Sequence, residues 1–421
     1  MKKRILIIGI VLIIAMTSVF AAAAAESSTG KATEINIFHF KALWGEDWLD
    51  LMKIYEQQTG VHVETDMVGG DSGYPTLLKS YIAAGEIPDI FMVHGLAEYE
   101  ELKDYIEPQN GSAWEANVAS FAKSAYTAND GVVMGMPVLA EYFGLLYNKD
   151  LFAQAGITEV PKTLAELAAA CEKLKAIGVA PFATGWSTGW VVGQHMTNVV
   201  ISKRANIQEF ISGLYDGSKK LTDDAQMLSY GDTIDLILAN TYANPLQEDH
   251  AASVTNFATG KAAMLTQGNW KENSIRTINP DINIGIMGIP VGNNDEHGDS
   301  IMSGLPFLLA INKQIPEERK AACRDFLNWF VTDPTAQKYI IEKFSGVPAY
   351  TNFDTTNLSP LAKQCVAYDA AGKSFAWSFS QWPTNLPQGE FAIDMQGYIG
   401  KQYASWADVV AQMQKDWENS I

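Results

Sequence analysis

The chain has 421 residues, 47% of them hydrophobic and 19% charged, with 48 acidic against 30 basic side chains and a formal net charge of -18. That acidity repels nucleic acid and anionic lipid surfaces, so neither is expected as a partner. The length exceeds what one hydrophobic core commonly supports, so at least two domains are expected. Residues 1–25 open with Lys2, Lys3 and Arg4, continue as an apolar run over 5–20, and end in Ala21 to Ala25. This is the form of a secretory signal peptide cleaved near Ala25, and the apolar run is shorter than the roughly 20 residues a membrane-spanning helix needs. Removing it takes the formal charge from -18 to -21. No cysteine stands near the cleavage point to accept a lipid, so the mature protein is expected to be free in the periplasm.

After the leader, a strand over 34–40, a helix over 48–59, a strand over 61–67 and a helix over 74–84 read as alternating α/β structure. The second helix stops at Gly85, and Pro88-Asp89 leads into the apolar run 90–93, a strand buried on both faces and hence part of a parallel sheet. A strand over 139–147, a short helix over 150–155 and a helix over 164–177 follow, with Thr163 as the N-cap of the last. Helices are expected over 206–214, 222–238 and 254–259, strands over 263–266, 283–287 and 305–312, and helices over 317–331, 334–343 and 405–418. The spacing of Cys171, Cys323 and Cys365 gives no disulfide framework; buried thiols are expected, with one disulfide and one free thiol as the alternative.

Several segments, taken together and in order, carry a family resemblance: TGVHVE (59–64), YIAAGEIPDIF (81–91), GMPVLAEYFGLLYNKDLFAQAGI (135–157), PKTLAEL (161–167), FATGKAAMLTQGNW (257–270) and FLNWFVTDPTAQKYI (326–340). The chain resembles the extracellular solute-binding proteins of carbohydrate ABC transporters, the family that includes the maltose-binding protein. The resemblance implies an α/β fold of the type II periplasmic-binding-protein kind, with two Rossmann-like lobes joined by a hinge. Lobe one is expected over 26–142 and 290–345, lobe two over 143–289 and 346–421. It also implies a monomeric binding protein that carries a small carbohydrate to the permease subunits of an ABC importer, with no cofactor, no metal and no catalytic residue.

Candidate ligand contacts follow from what a sugar requires: hydroxyls need paired donors and acceptors, and the C–H face of a ring packs on an aromatic plane. Trp44 and Glu46 lie in the loop after the first strand, at the carboxyl end of a parallel sheet, where ligands bind in open α/β folds. Asp71 stands in the glycine-rich loop GGDSGY (69–74), and His94 ends the buried third strand. Glu141 matches, by resemblance, a position where the maltose-binding protein carries a ligand-contacting glutamate. Trp186 and Trp190, in a glycine-interrupted segment, fall where the family places ligand contacts, and Trp270 falls on a ring-stacking tryptophan. Trp377 and Trp382 lie in the tail, and Ala392 stands at about the position of the family's last stacking tryptophan, so Trp382 is expected to supply that ring from a neighbouring site. Gly95-Leu96 replaces an Asp and Arg pair of the maltose-binding protein, which argues against maltose itself.

The six histidines (39, 62, 94, 195, 250, 297) show no metal-binding spacing, and no GxSxG, P-loop or GxGxxG follows a strand. A glycoside hydrolase needs only two carboxylates suitably spaced and is the enzymatic alternative. A polyamine in the same fold is the alternative ligand, since carboxylates with aromatic walls also suit a cation.

Overall fold

A computed structural model describes residues 32–69, 73–119 and 122–421. The expected signal peptide and cleavage point, and Asp71, lie outside the described residues. The chain begins with three strands that pair side by side: β1 (Glu34–His39) lies parallel to both β2 (His62–Met67) and β3 (Ile90–Val93). All four residues of β3 are buried, as its unbroken apolar run predicts for a central strand covered on both faces. Two later strands complete this sheet, β10 (Leu308–Ile311) and β4 (Met136–Pro137), both antiparallel, giving the order β2-β1-β3-β10-β4.

A second, seven-stranded sheet is built around β5 (Leu139–Asn148), whose ten residues are all buried. One edge of β5 pairs with β7 (Ala262–Gly268), which in turn pairs with β6 (Ala180–Ala183). The other edge is shared in succession by β11 (Val347–Pro348), β9 (Ile301–Gly304) and β8 (Ile284–Met287), and β12 (Ser374–Ala376) extends β9. The α/β architecture expected from the strand and helix alternation is what the chain forms, and it does so in two sheets, in keeping with the two lobes that the resemblance implies.

One assignment changes. The sequence reading moves the chain back to lobe one at residue 290 and draws a single strand over 305–312. Instead β9 pairs with β5 and belongs to the second sheet, and the chain changes sheet between Gly304 and Leu308. Ser303-Gly304 and Pro306 interrupt the apolar run over 301–311 and mark a break between two strands, but not that the first of them joins the other sheet, which its pairing with β5 decides.

Helices pack each sheet for reasons visible in their sequences. Gly45–Thr59 places Trp48 and Tyr55 on one face, where they meet Phe326 and Phe330 of Glu317–Thr332. Buried Asp89, from the Pro88-Asp89 turn, accepts from Asn36 N at 2.9 Å and from Arg319 Nε at 3.0 Å, fastening β1 to that last helix. Thr163 caps Leu164–Ala176 as expected, with Glu166 completing a reciprocal capping box. Cys171, Cys323 and Cys365 are all buried free thiols. Among the described residues no helix is long and apolar enough to cross a membrane.

Candidate ligand cleft

The carboxyl ends of β1 and β3 in the first sheet face the segments that follow β6 and β7 in the second. Between them lies a cleft with two cavities of roughly 460 and 430 Å³. Each alone has the size of a small-ligand site. The first is lined by Lys41, Trp44 and Lys343 from one half and by Glu141, Trp270 and Asn273 from the other. The second runs between His94, Glu98 and Glu101 on one side and Gln194, Phe379 and Gln388 on the other.

At the centre of the first cavity the Lys41 ammonium donates to a Glu141 carboxylate oxygen at 2.8 Å, with both side chains nearly buried. Glu141 stands on β5 opposite Gly304, and Lys41 follows β1, so this ion pair joins the two halves across the cleft. The same ammonium lies 5.3 Å from the Phe40 and Phe307 ring centres, which gives it an aromatic floor. Trp44 is buried, stacked on Phe344 at 4.5 Å and on Trp48 at 5.5 Å, and shows one edge to the cavity.

Facing the ion pair is a wall of rings. Trp270 follows β7 and stacks on His195 at 5.0 Å and, further off, on Phe143. Its position depends on Gly268: a side chain there would run into the Trp270 ring and the Tyr142 carbonyl oxygen. Trp190 and Trp377 close on the same histidine edge-on, at 5.8 and 5.1 Å. His195 and Trp190 come from Trp190–Met196, a π-helical turn of the kind that often marks functional sites, packed against a second at Leu386–Glu390. Burial, and then the charge of Lys41, lower the His195 pKa to about 3, so the ring is neutral. His39, beneath Trp44 and Trp48, is lowered to about 4 by the same two causes.

His94 stacks on Phe40 at 4.8 Å and holds Glu98 Oε2 at 2.8 Å through Nδ1. Burial works to raise the Glu98 carboxyl, but His94, through its charge, ring and backbone N–H, outweighs it and holds the group below its ordinary range. The two halves also touch where Gly95 meets Ser380 and where the Thr384 hydroxyl donates to Glu101.

Of the residues singled out from the sequence, Trp44, Glu141 and Trp270 meet in the first cavity, His94 borders the second, and Trp190 completes the ring wall. Three do not fit that picture. Trp186 is wholly buried in the core of the second half, because the turn preceding the π-helix points it inward. Trp382 is also 0% exposed; its indole N–H donates to Ser378 Oγ at 3.1 Å and its ring packs on Phe391, so it contributes to the lining of the second cavity without presenting a free face to it. Trp377 takes the wall position instead. Glu46 is exposed on the first turn of its helix, and its neighbour Asp47 lines the cavity. Lys41, Phe143 and His195 were not anticipated. A search for carboxylates and indoles passes over a lysine, and His195 carries no spacing signal.

Residues 40–337 match the family model described as bacterial extracellular solute-binding protein. The chain belongs to that family. Among curated relatives of this solute-binding protein, the multiple sugar-binding protein of Streptococcus mutans is 25% identical over 392 residues, 89% of this chain and 90% of its own. The melibiose/raffinose/stachyose-binding protein MelE of Bacillus subtilis is 23% identical over 309 residues, 70% of this chain and 69% of its own. Among solved structures, a chitin oligosaccharide binding protein superposes with a TM-score of 0.79 at 24% identity, over 93% of this chain and 99% of its own. The binding protein RafE in complex with raffinose gives 0.75 at 18% identity, over 92% and 99%. These likenesses establish the two-lobe fold of family 1 solute-binding proteins for this chain.

Proposed function

We propose that this solute-binding protein captures a neutral carbohydrate between its two lobes, outside the cytoplasm, and presents it intact to the permease subunits of an ABC importer. The observation that carries the reading is one cavity in which the Trp270 plane faces the Lys41–Glu141 pair. An indole plane packs on the C–H face of a sugar ring, while an ammonium and a carboxylate donate to and accept from its hydroxyls. The names of the four relatives given above point the same way, since each of these refers to a sugar or oligosaccharide.

Lobe one is taken to contain the first sheet and lobe two the second, with the chain passing between them at Val138, at Leu305 to Phe307 and near Gly346. Contacts from both lobes make the closed form the one that ligand favours. Export with cleavage near Ala25, release into the periplasm and action as a monomer complete the proposal. A polyamine fits the first cavity poorly, because Lys41, Arg276 and Lys343 there offset Asp47, Glu141 and Glu342. A hydrolase would leave cleaved sugar in the supernatant; a receptor returns it whole.

The test is a thermal-shift and calorimetric panel on the mature protein with raffinose, stachyose, maltotriose, chitotriose and spermidine. A saccharide at a hundred times its dissociation constant adds about 2.7 kcal/mol to folding and is recovered unchanged. Stabilisation by spermidine alone, abolished by salt, would overturn the carbohydrate reading.

A further inference from the structure

The ring wall of the second lobe contains two buried polar atoms without a hydrogen-bond partner among the described residues, His195 Nδ1 and Trp377 Nε1. Their rings meet edge to face at 5.1 Å. The other ring neighbours of His195 are Phe143 and Trp270, stacked at 4.7 and 5.0 Å, and Phe379 and Trp190, edge-on at 5.6 and 5.8 Å. None of these offers a lone pair or a proton where the two nitrogens need one. A buried polar group left unmatched costs about 1–3 kcal/mol, and two on touching rings double the cost. Trp270 lines the first cavity and Phe379 the second; His195 packs on both from behind, between the two parts of the cleft, and His195 and Trp377 themselves line neither cavity.

We propose that His195 and Trp377 jointly read one hydroxyl of the bound saccharide, with the indole N–H donating to its oxygen and imidazole Nδ1 accepting its hydrogen. A hydroxyl is both donor and acceptor, so one such group satisfies both nitrogens at once; a methylene in its place satisfies neither. The neutral ring described above keeps a nitrogen lone pair available for this role, and the aromatic packing fixes its direction. This inference rests on the carbohydrate reading and deepens it, making His195 and Trp377 determinants of which sugar is held.

The experiment is calorimetry on the full mature chain with the tightest saccharide of the panel above and with its monodeoxy analogues. His195→Phe keeps the stacking and removes both nitrogens. The expected result is a loss of roughly 10- to 100-fold in affinity for the parent sugar, with one deoxy analogue that wild type binds as weakly as the variant does. For that analogue His195→Phe makes no further difference, whereas general damage to the site would weaken every analogue alike. Unchanged affinity of His195→Phe for the parent sugar overturns the proposal, and so does equal weakening across the series. Imidazole 15N resonances of the wild-type protein supply a readout that needs no variant to fold: the His195 signals shift on adding the parent sugar, and unmoved signals overturn the proposal. Failure of every saccharide to bind wild type would instead overturn the carbohydrate reading itself.

Discussion

Trp270 is held by what surrounds it rather than by its own burial. Gly268 clears the space under its ring, Phe143 and His195 support one face, and the opposite side borders the cavity. Trp270→Ala therefore removes a stacking plane while leaving most of the core of its lobe untouched. Affinity for the saccharide is expected to fall at least tenfold, which corresponds to about 1.4 kcal/mol, with the unfolding temperature of unliganded protein nearly unchanged. Calorimetry and thermal unfolding on the same sample check this, and a matching drop in stability would make Trp270 a core residue. At this scale Trp44 is legible as a flat ring in the loop after a strand, and Glu141 and Trp270 through the family resemblance; the fold brings the three to one cavity. What is illegible follows from a filter for flat rings and carboxylates. Lys41 acquires its meaning only when β1 and β5 bring it to Glu141, 100 positions away in the chain. His195 is placed by five aromatic neighbours contributed by four segments of the chain.

Elements with a strong local signal were read correctly from the sequence: β3 from its unbroken apolar run and Leu164–Ala176 from its capping box. Those set by tertiary contact were not, and the π-helical turns at Trp190–Met196 and Leu386–Glu390 are the clearest cases, since their shape depends on packing against each other. The C-terminal helix pair, Phe391–Ile399 and Trp406–Asn419, carries another feature with no sequence signature. Buried Asp394 accepts from the Tyr403 hydroxyl at 2.8 Å, and its carboxyl lies close enough to that of Asp416 to share a proton with it. Burial raises its pKa to about 7; the Tyr403 bond works against this, while the charge of Asp416, a hydrogen bond to its carboxylate and the charge of Glu390 add to it. An unfolded aspartate loses its proton near 3.9, so the folded state binds the extra proton between that value and about 7. Stability from this group is thus fully present below about pH 4 and is lost as pH rises through 7. Asp394→Asn keeps the acceptor for Tyr403 without the charge and is expected to stabilise the protein by about 1–3 kcal/mol at pH 8 and by much less at pH 5. Thermal unfolding of both proteins at the two pH values decides: an equal gap at both would rule out titration of Asp394 as the cause.

At the scale of the whole molecule, binding depends on how closely the lobes approach, and Gly95 sets one limit on that approach. It lies just after β3 with φ +136 and ψ -153, a conformation that residues with a side chain rarely adopt. A Cβ added there would come within 2.6 Å of the Ser380 Cβ in the opposite lobe. Gly95→Ala therefore has two consequences that separate cleanly. Backbone strain is present whether the lobes are open or closed, so it lowers thermal stability but cancels from the affinity. The clash exists only when the lobes are together, so it raises the energy of the closed form alone, by about 1–3 kcal/mol if it behaves like overpacking elsewhere. Ligand then binds a conformation that is less populated, and apparent affinity falls in proportion, roughly tenfold. Ser380→Gly removes the other Cβ, so the double variant is expected to regain wild-type affinity while keeping the lowered unfolding temperature of Gly95→Ala. Small-angle scattering at saturating saccharide should show the compact form for wild type and the double variant, and a less compact average for Gly95→Ala. If Ser380→Gly fails to restore affinity, the approach of these two positions does not limit closure, and Gly95 is retained for its backbone conformation alone.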